Sequence, residues 1–243
     1  MNKIAIIIPS RLNAVRLPNK PLKLINNKEM ILHVYDAAVS SKAGEVYIAT
    51  PDQEIIETIK KVKGKAIKTS DQHETGTDRI FEVFKSTLEN KPNIIINLQG
   101  DMPNIKPQAI SALVSYMKNE KCDIGTLASE LTSEEELKNP NVVKVAVKDK
   151  LSKNVFLNAI DFFRIKENLN DNIYHHIGIY AFTNKALMRY VNLKRSKLEL
   201  ERKLEQLRAL ENNMSIHVGF TESSPLSVDT EEDLIEIKKI MEK

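Results

Sequence analysis

The chain has one cysteine, Cys122, among its 243 residues, and no tryptophan. A single thiol cannot make an internal disulfide, which removes the disulfide-stapled secreted scaffolds and fits a reducing compartment. No apolar run approaches the ~20 residues that a membrane-spanning helix needs. The amino terminus enters an apolar strand pattern at Ile4 with no leader-like segment before it. The expectation is a soluble, cytoplasmic protein with no membrane partner. The formal net charge is only +3, and no basic stripe is interleaved with aromatics, so a nucleic-acid partner is not expected. Glycine is scarce, seven in all, and neither GxxxxGK[ST] nor GxGxxG occurs. A phosphate ligand would therefore be held by side-chain cations more than by a bare backbone nest.

What is present is an α/β pattern. Ile4-Ala5-Ile6-Ile7-Ile8 runs apolar without alternation, which predicts a strand buried on both faces, ended by Pro9. The spacing predicts helices over Met30–Ala43 and Asp52–Val62 and strands over Val46–Thr50 and Ala66–Thr69. A helix opens at Thr75 and runs to about Glu89. Ile94–Leu98, apolar but for Asn97, reads as a second buried strand, followed by a helix over Pro107–Asn119 and a strand over Asp123–Leu131. This alternation predicts a doubly wound, mostly parallel sheet with flanking helices. Val142–Val147, Val155–Ile160 and Tyr174–Phe182 then read as successive strands separated by polar loops, including Glu167–Asn172. Such a switch predicts one domain, 1–243, with a smaller strand-rich sub-lobe over about 128–190. Leu198–Glu211 reads as one amphipathic helix with Leu200, Leu204, Leu207 and Leu210 along a stripe. A strand over Ile216–Phe220 and a final helix after Val228-Asp229-Thr230 close the chain.

Chemistry concentrates at the ends of the apolar strands. Arg11, Arg16 and Lys20 follow the first strand within a loop stiffened by Pro18 and Pro21. Arginine matches phosphate oxygens bidentately and lysine acts as a point charge, so the loop is either an anion site or a solvated basic surface. Thr75 and Thr77 can cap a helix, and Gly76 permits close backbone approach by a ligand. Asp101 follows Ile94–Leu98, where it is a turn residue or an oxygen ligand for a magnesium-triphosphate. Asp229 is a helix cap or a ligand, with Thr230 and Asp233 forming their own capping pattern. His175 and His176, adjacent on a strand, point to opposite faces and cannot chelate one ion together.

A series of strings from Ile4 to Leu234 resembles the CMP-Kdo synthetases (3-deoxy-manno-octulosonate cytidylyltransferases) in the same order. They are Pro9-Ser10-Arg11 with Arg16-Leu17-Pro18-Asn19-Lys20-Pro21-Leu22, then Thr75-Gly76-Thr77-Asp78-Arg79, then Asn97-Leu98-Gln99-Gly100-Asp101. Pro140-Asn141-Val142-Val143-Lys144-Val145, His175-His176-Ile177-Gly178-Ile179-Tyr180, Leu204-Glu205-Gln206-Leu207-Arg208 and Val228-Asp229-Thr230 follow. The resemblance implies a Rossmann-like nucleotidyltransferase fold. It also implies transfer of CMP from CTP to the anomeric hydroxyl of Kdo, with release of pyrophosphate, for lipopolysaccharide biosynthesis. The implied nucleotide-binding residues are Pro9, Ser10, Arg11, Arg16, Lys20, Thr75, Gly76, Thr77, Arg79 and Gln99. The sugar-binding residues are Gln99, His176, Tyr180, Glu205 and Gln206. Arg11, Lys20 and Asp101 carry the catalytic role, Asp101 and Asp229 hold Mg²⁺, and the leucine stripe serves a homodimer.

Four departures from that pattern stand out. Asn19 replaces a glycine, Met102 a glutamate, His175 an arginine, and Leu157-Asn158 a Ser-Arg pair near the sugar. The last leaves 8-amino-Kdo or a sialic acid open as the acid sugar, with Arg164 or Arg195 as substitutes for the missing arginine. Asn19 and Met102 are the support for a non-catalytic CTP-binding homologue. A methylerythritol-phosphate cytidylyltransferase is the remaining rival, opposed by Leu204–Arg208 and His176–Tyr180.

Overall fold

The apolar run near the amino terminus forms β1 (Ile4–Pro9) in the computed structural model, with every residue buried. Described are residues 3–86, 88, 91–119, 122–165 and 172–242. A turn of 3-10 helix at Lys20–Leu22 and a small hairpin, β2 (Leu24–Ile25) with β3 (Lys28–Glu29), lead into α1 (Met30–Ser40). The chain then alternates through β4 (Glu45–Thr50), α2 (Gln53–Lys61), β5 (Lys65–Lys68), α3 (Gly76–Ser86) and β6 (Ile94–Leu98). These strands lie in the order β5-β4-β1-β6, all parallel. Parallel pairing brings the carboxyl ends of β1, β4 and β6 to one edge, the place where open α/β sheets take ligands.

Two compact units are formed, Met1–Ser111 with Pro225–Lys243, and Ala112–Ser224. The chain passes from the first to the second within α4 (Pro107–Asn119). The second unit contains β7 (Ile124–Ser129), α5 (Glu134–Lys138), β8 (Lys144–Val147), β9 (Phe156–Phe163) and β10 (Asn172–Thr183). α6 (Asn184–Val191), α7 (Lys197–Arg202), α8 (Leu207–Glu211) and β11 (Ile216–Phe220) complete it. Its strands run β10-β7-β11-β9-β8. β10 also meets β8 through Asn172–His175 and β7 through His175–Phe182. Of the pairings described here, β11 with β7 is parallel and the others antiparallel. The polar loop expected over Glu167–Asn172 falls largely on residues outside those described. Among the described residues no helix is long and apolar enough to cross a membrane.

The chain returns to the first unit as α9 (Glu231–Met241). Leu17, Ile25, Met30, Val228, Leu234 and Ile237 form one buried cluster, which seats α9 and the segment before it against the basic loop. Val228 donates its N–H to Asp101 O at 2.9 Å, and Leu226 N–H reaches Asn104 Oδ1 at 3.0 Å. These bonds staple the carboxyl-terminal segment to the end of β6.

The single helix expected over Leu198–Glu211 is two short ones. Lys203 adopts a left-handed conformation, φ 54°, and ends α7. The reason is a buried ion pair: Arg208 donates to Glu199 from Nε at 2.8 Å and from Nη2 at 2.6 Å. Nine residues of continuous helix would separate the two by roughly 13.5 Å along the axis. The break lets the second helix fold back so that they meet. Leu200, expected in the apolar stripe, is instead 53% exposed, while Leu204 and Leu207 are buried.

Candidate active site

At the carboxyl edge of the first unit's sheet lies a pocket of about 310 Å³. Pro9, Ser10, Arg11 and Lys20 line one side, and Thr75, Gly76, Arg79, Gln99 and Asp101 the other. Nine of the sequence-predicted residues therefore share one cavity. His73 and Glu74 also line it; nothing in the sequence pattern singled them out. A side chain at Gly76 would be crowded. A Cβ there would lie 3.2 Å from Pro9 Cγ and 3.3 Å from Gln99 Nε2. Ser10 Oγ is buried and has no hydrogen-bond partner among the described residues, so the pocket wall holds unused bonding capacity.

Lys20 is the hub of the charges. Its ammonium donates to Asp101 Oδ2 at 3.1 Å and to Asp229 Oδ1 at 2.9 Å. Arg16 reaches the other Asp229 oxygen, Oδ2, at 2.9 Å, beside the pocket and not in its wall. Burial works against the charged form of Lys20, but the two carboxylates outweigh it and hold its pKa above that of a free lysine. Burial likewise works against ionised Asp229, and the Lys20 and Arg16 cations more than offset it, so its pKa falls. Asp229 is free for this because α9 is capped by others. Thr230 Oγ1 accepts Asp233 N–H at 3.2 Å, and Asp233 Oδ2 accepts the N–H groups of Asp229 and Thr230, both at 2.9 Å.

Arg79 and Thr77 are both tied into the protein's own hydrogen bonds. Arg79 is 3% exposed and donates from Nη1 to Thr69 Oγ1 at 2.6 Å and to Ser70 O at 2.8 Å. Burial lowers its pKa, and the nearby Arg11 cation lowers it further. Thr77 is buried, and its hydroxyl oxygen accepts from Asn97 Nδ2 at 3.2 Å. Asn97, itself fully buried, accepts from Gln99 Nε2 at 3.1 Å. Thr77 thus stands behind the wall and fixes the amide that faces the pocket. Thr75 caps α3, its Oγ1 accepting Asp78 N–H at 3.1 Å and donating to Asp78 Oδ2 at 2.7 Å.

Two of the departures have local explanations. Asn19 sits at φ 57°, a left-handed conformation that asparagine tolerates better than most non-glycine residues. The turn that a glycine would make is therefore kept. Met102 is buried as an apolar residue, so it contributes no carboxylate.

In the second unit, the remaining candidates gather around β10. A bulge lies between Ile177 and Tyr180. Thr126 donates its hydroxyl to Ile179 O at 2.7 Å, which leaves the oxygen to accept from His176 Nε2 at 3.0 Å. His176 is buried, its ring centroid 5.4 Å from that of Tyr180. Burial, with the neighbouring His175, pushes the His176 pKa down to about 3, so the ring is neutral. Burial also raises the Tyr180 pKa well above that of free tyrosine, with Glu205 adding to the effect. Gln206 is buried just before α8. Neither substitute arginine is idle: Arg164 donates to Pro140 O at 2.8 Å, and Arg195 to Glu199 Oε1 at 3.1 Å.

A sequence model described as "Cytidylyltransferase" matches residues 5–216. The chain is 45% identical over 240 residues to the 3-deoxy-manno-octulosonate cytidylyltransferase of Thermodesulfovibrio yellowstonii, covering 94% of each chain. It is 44% identical over 234 residues to the enzyme of that name from Brucella ovis, covering 96% of this chain and 93% of the relative. Among solved structures it resembles a CMP:2-keto-3-deoxy-manno-octonic acid synthetase complexed with CTP. That match has a TM-score of 0.88 and 34% identity and covers 99% of this chain and 98% of the other.

Proposed function

The chain belongs to the 3-deoxy-manno-octulosonate cytidylyltransferase family, and from that we propose that it transfers CMP from CTP to Kdo. The anomeric hydroxyl of the sugar attacks the α-phosphorus in line, and pyrophosphate leaves. The product is an activated acid sugar for lipopolysaccharide assembly. The observation that carries the reading is the convergence of Lys20 on Asp101 and Asp229 at the rim of a cation-lined pocket. Triphosphate chemistry asks for that combination, because charge on the leaving group has to be neutralised by groups already in position.

Arg11, Arg16 and Lys20 bind the triphosphate and stabilise the charge that grows on the departing pyrophosphate. The Asn97–Thr77 pair orients Gln99, and Gly76 keeps the wall open to the nucleoside. Asp101 and Asp229 would hold a magnesium ion. Two carboxylates drawn onto one ammonium suit a hard divalent cation, which commonly takes one or two protein carboxylates and completes its shell with water and phosphate oxygens. No cluster of three or more His, Cys, Asp or Glu side chains suited to a metal occurs among the described residues, so the two carboxylates would leave most of the shell to water and phosphate oxygens. Bound there, the ion would supply a Lewis acid for the phosphate oxygens.

His176, Tyr180, Glu205 and Gln206 are assigned to the acid sugar. A neutral His176 and a protonated Tyr180 are hydrogen-bonding groups suited to hydroxyls. We place the enzyme in the cytoplasm, which its single cysteine suits, and propose a homodimer, for which the exposed apolar side chains Val155, Ile160, Ile165 and Leu200 of the second unit offer a surface.

Pyrophosphate release with magnesium, each of four nucleoside triphosphates, and Kdo, 8-amino-Kdo or a sialic acid tests the proposal. Release is expected with CTP and Kdo. Preference for another acid would move the substrate, a result that Leu157-Asn158 would explain. CTP binding without release from any pair would favour a non-catalytic homologue.

A further inference from the structure

Asp52 occupies the position just before α2, where aspartate ordinarily accepts a hydrogen bond from the helix's own first turn. Its carboxylate makes no such bond here. Asp52 Oδ2 instead accepts the N–H of Leu12 at 2.8 Å, from 40 residues earlier in the chain. Leu12 lies in the loop that carries Arg11 and Arg16.

The base from which Asp52 reaches is firm. Its own N–H donates to Thr50 Oγ1 at 3.2 Å, and Thr50 is fully buried at the end of β4. Ser10 N–H donates to Ala49 O at 2.9 Å, extending the parallel pairing one residue beyond β1. The other side of the Leu12 residue is held too. Its carbonyl accepts Ala14 N–H at 2.8 Å and Asn19 N–H at 3.2 Å. Leu12 is thus pinned by a carboxylate at one end and by its own loop at the other. The Asp52 charge also favours the buried Arg79 guanidinium, against burial and the like charge of Arg11.

We propose that Asp52 is a positioning residue for the phosphate-binding loop, anchoring the Leu12 peptide so that Arg11 and Arg16 are already presented when the triphosphate arrives. It lies outside the pocket wall and acts through Leu12. The inference rests on reading that pocket as the nucleotide site. Holding cations in place beforehand removes an ordering cost from binding and from the transition state.

Three variants of the full chain separate anchoring from capping: Asp52→Ala, Asp52→Asn and Asp52→Ser. The amide oxygen of Asn can still accept Leu12 N–H, while Ser caps helices well but is too short to reach it. The readouts are thermal melting, tryptic cleavage after Arg11 and Arg16 without nucleotide, and KM for CTP against KM for the acid sugar. Asp52→Ala and Asp52→Ser should each raise the KM for CTP about tenfold and speed cleavage at the loop by a similar factor. The acid-sugar KM should not move, and Asp52→Asn should stay close to wild type. Restoration by Ser, or a lowered melting temperature with unchanged cleavage and CTP affinity, would overturn the proposal and leave Asp52 a plain helix cap. Faster cleavage in a protein whose wild type ignores CTP would keep the anchor and reject the nucleotide reading.

Discussion

The Arg11–Lys20 segment of the first unit and the Glu199–Arg208 pair of the second manage charge in opposite ways. In the first, Arg11 and Arg16 are exposed and Lys20 is half-buried, each cation on a loop beside open space. In the second, Glu199 is 0% exposed and Arg208 is 4% exposed, locked together by a two-point bond and stacked on Tyr190 at 4.7 Å. A buried ion pair loses more hydration than its attraction readily returns, so it is a poor device for stability alone. What it does here is hold α7 and α8 at an angle that no continuous helix allows. The loop charges hold one another only through side chains that a triphosphate or a metal can take over. The Glu199–Arg208 pair uses charge to fix shape, and the Arg11–Arg16–Lys20 segment keeps charge available for a ligand.

The comparison breaks first at Asp101. Asp101→Asn keeps the shape of the side chain and removes its charge, and should lower kcat at least a thousandfold while leaving the melting temperature nearly unchanged. Pyrophosphate release and thermal melting on the same preparation decide it. Near-normal turnover would take Asp101 out of the metal site.

The mirror experiment is Arg208→Met in the second unit. It leaves Glu199 buried with a smaller set of donors and should cost about 3–5 kcal/mol of stability, read by urea unfolding. Adding Glu199→Gln should recover part of the loss, because the stranded charge is gone. A cost below about 1 kcal/mol would mean that the pair behaves like a surface salt bridge, and the contrast between the units would fail.

Lys20→Ala comes next. Loss of the ammonium should reduce kcat/KM for CTP about a hundredfold and change CMP affinity little, because CMP lacks the β- and γ-phosphates. The same variant should bind Mn²⁺ about tenfold more tightly without nucleotide, since Lys20 no longer competes for Asp101 and Asp229. Equal losses for CTP and CMP would contradict a role at the outer phosphates.

Much of this was legible in the residues, for reasons that also explain what was not. Ile4–Ile8 and Ile94–Leu98 announce buried strands because burial on both faces demands runs that are almost wholly apolar, Asn97 being the one polar residue of the two, and both strands form with those cores. Ser10, Arg11, Gln99 and Asp101 stood out as candidates because they follow those strands directly, where topology sends ligands. The 198–211 break was not, since local periodicity is blind to a Glu199–Arg208 bond spanning nine positions. The direction of the Thr77 side chain was not legible, because a residue type in a short string does not say which way its side chain turns; its hydroxyl accepts from Asn97. Asp52 was read as the start of a helix for the same reason. Its spacing fits a cap, while its carboxylate belongs to Leu12.

The gentlest way to sharpen the contrast is pH, through His176. Burial has pushed its pKa down to about 3, against about 6.5 in an unfolded chain. Above pH 6.5 the ring is neutral in both states and contributes no pH dependence. Below it, the unfolded chain takes up a proton that the folded one refuses until near pH 3. Stability then falls with acid by about 1.4 kcal/mol per pH unit, or about 2 kcal/mol between pH 6.5 and 5. His176→Gln removes the titration and keeps an amide that can donate to Thr126 Oγ1. The variant should track wild type in its pH dependence from pH 8 to 6.5, whatever its absolute stability, and then lose stability less steeply by that amount. His175 and Glu136 face each other at 2.5 Å in both proteins, so their titration largely cancels from the difference. Parallel curves from pH 8 to 5 would mean that His176 accepts its proton in the folded state. It would then belong with the available charges of the first unit, and the division between the two units would have to be redrawn.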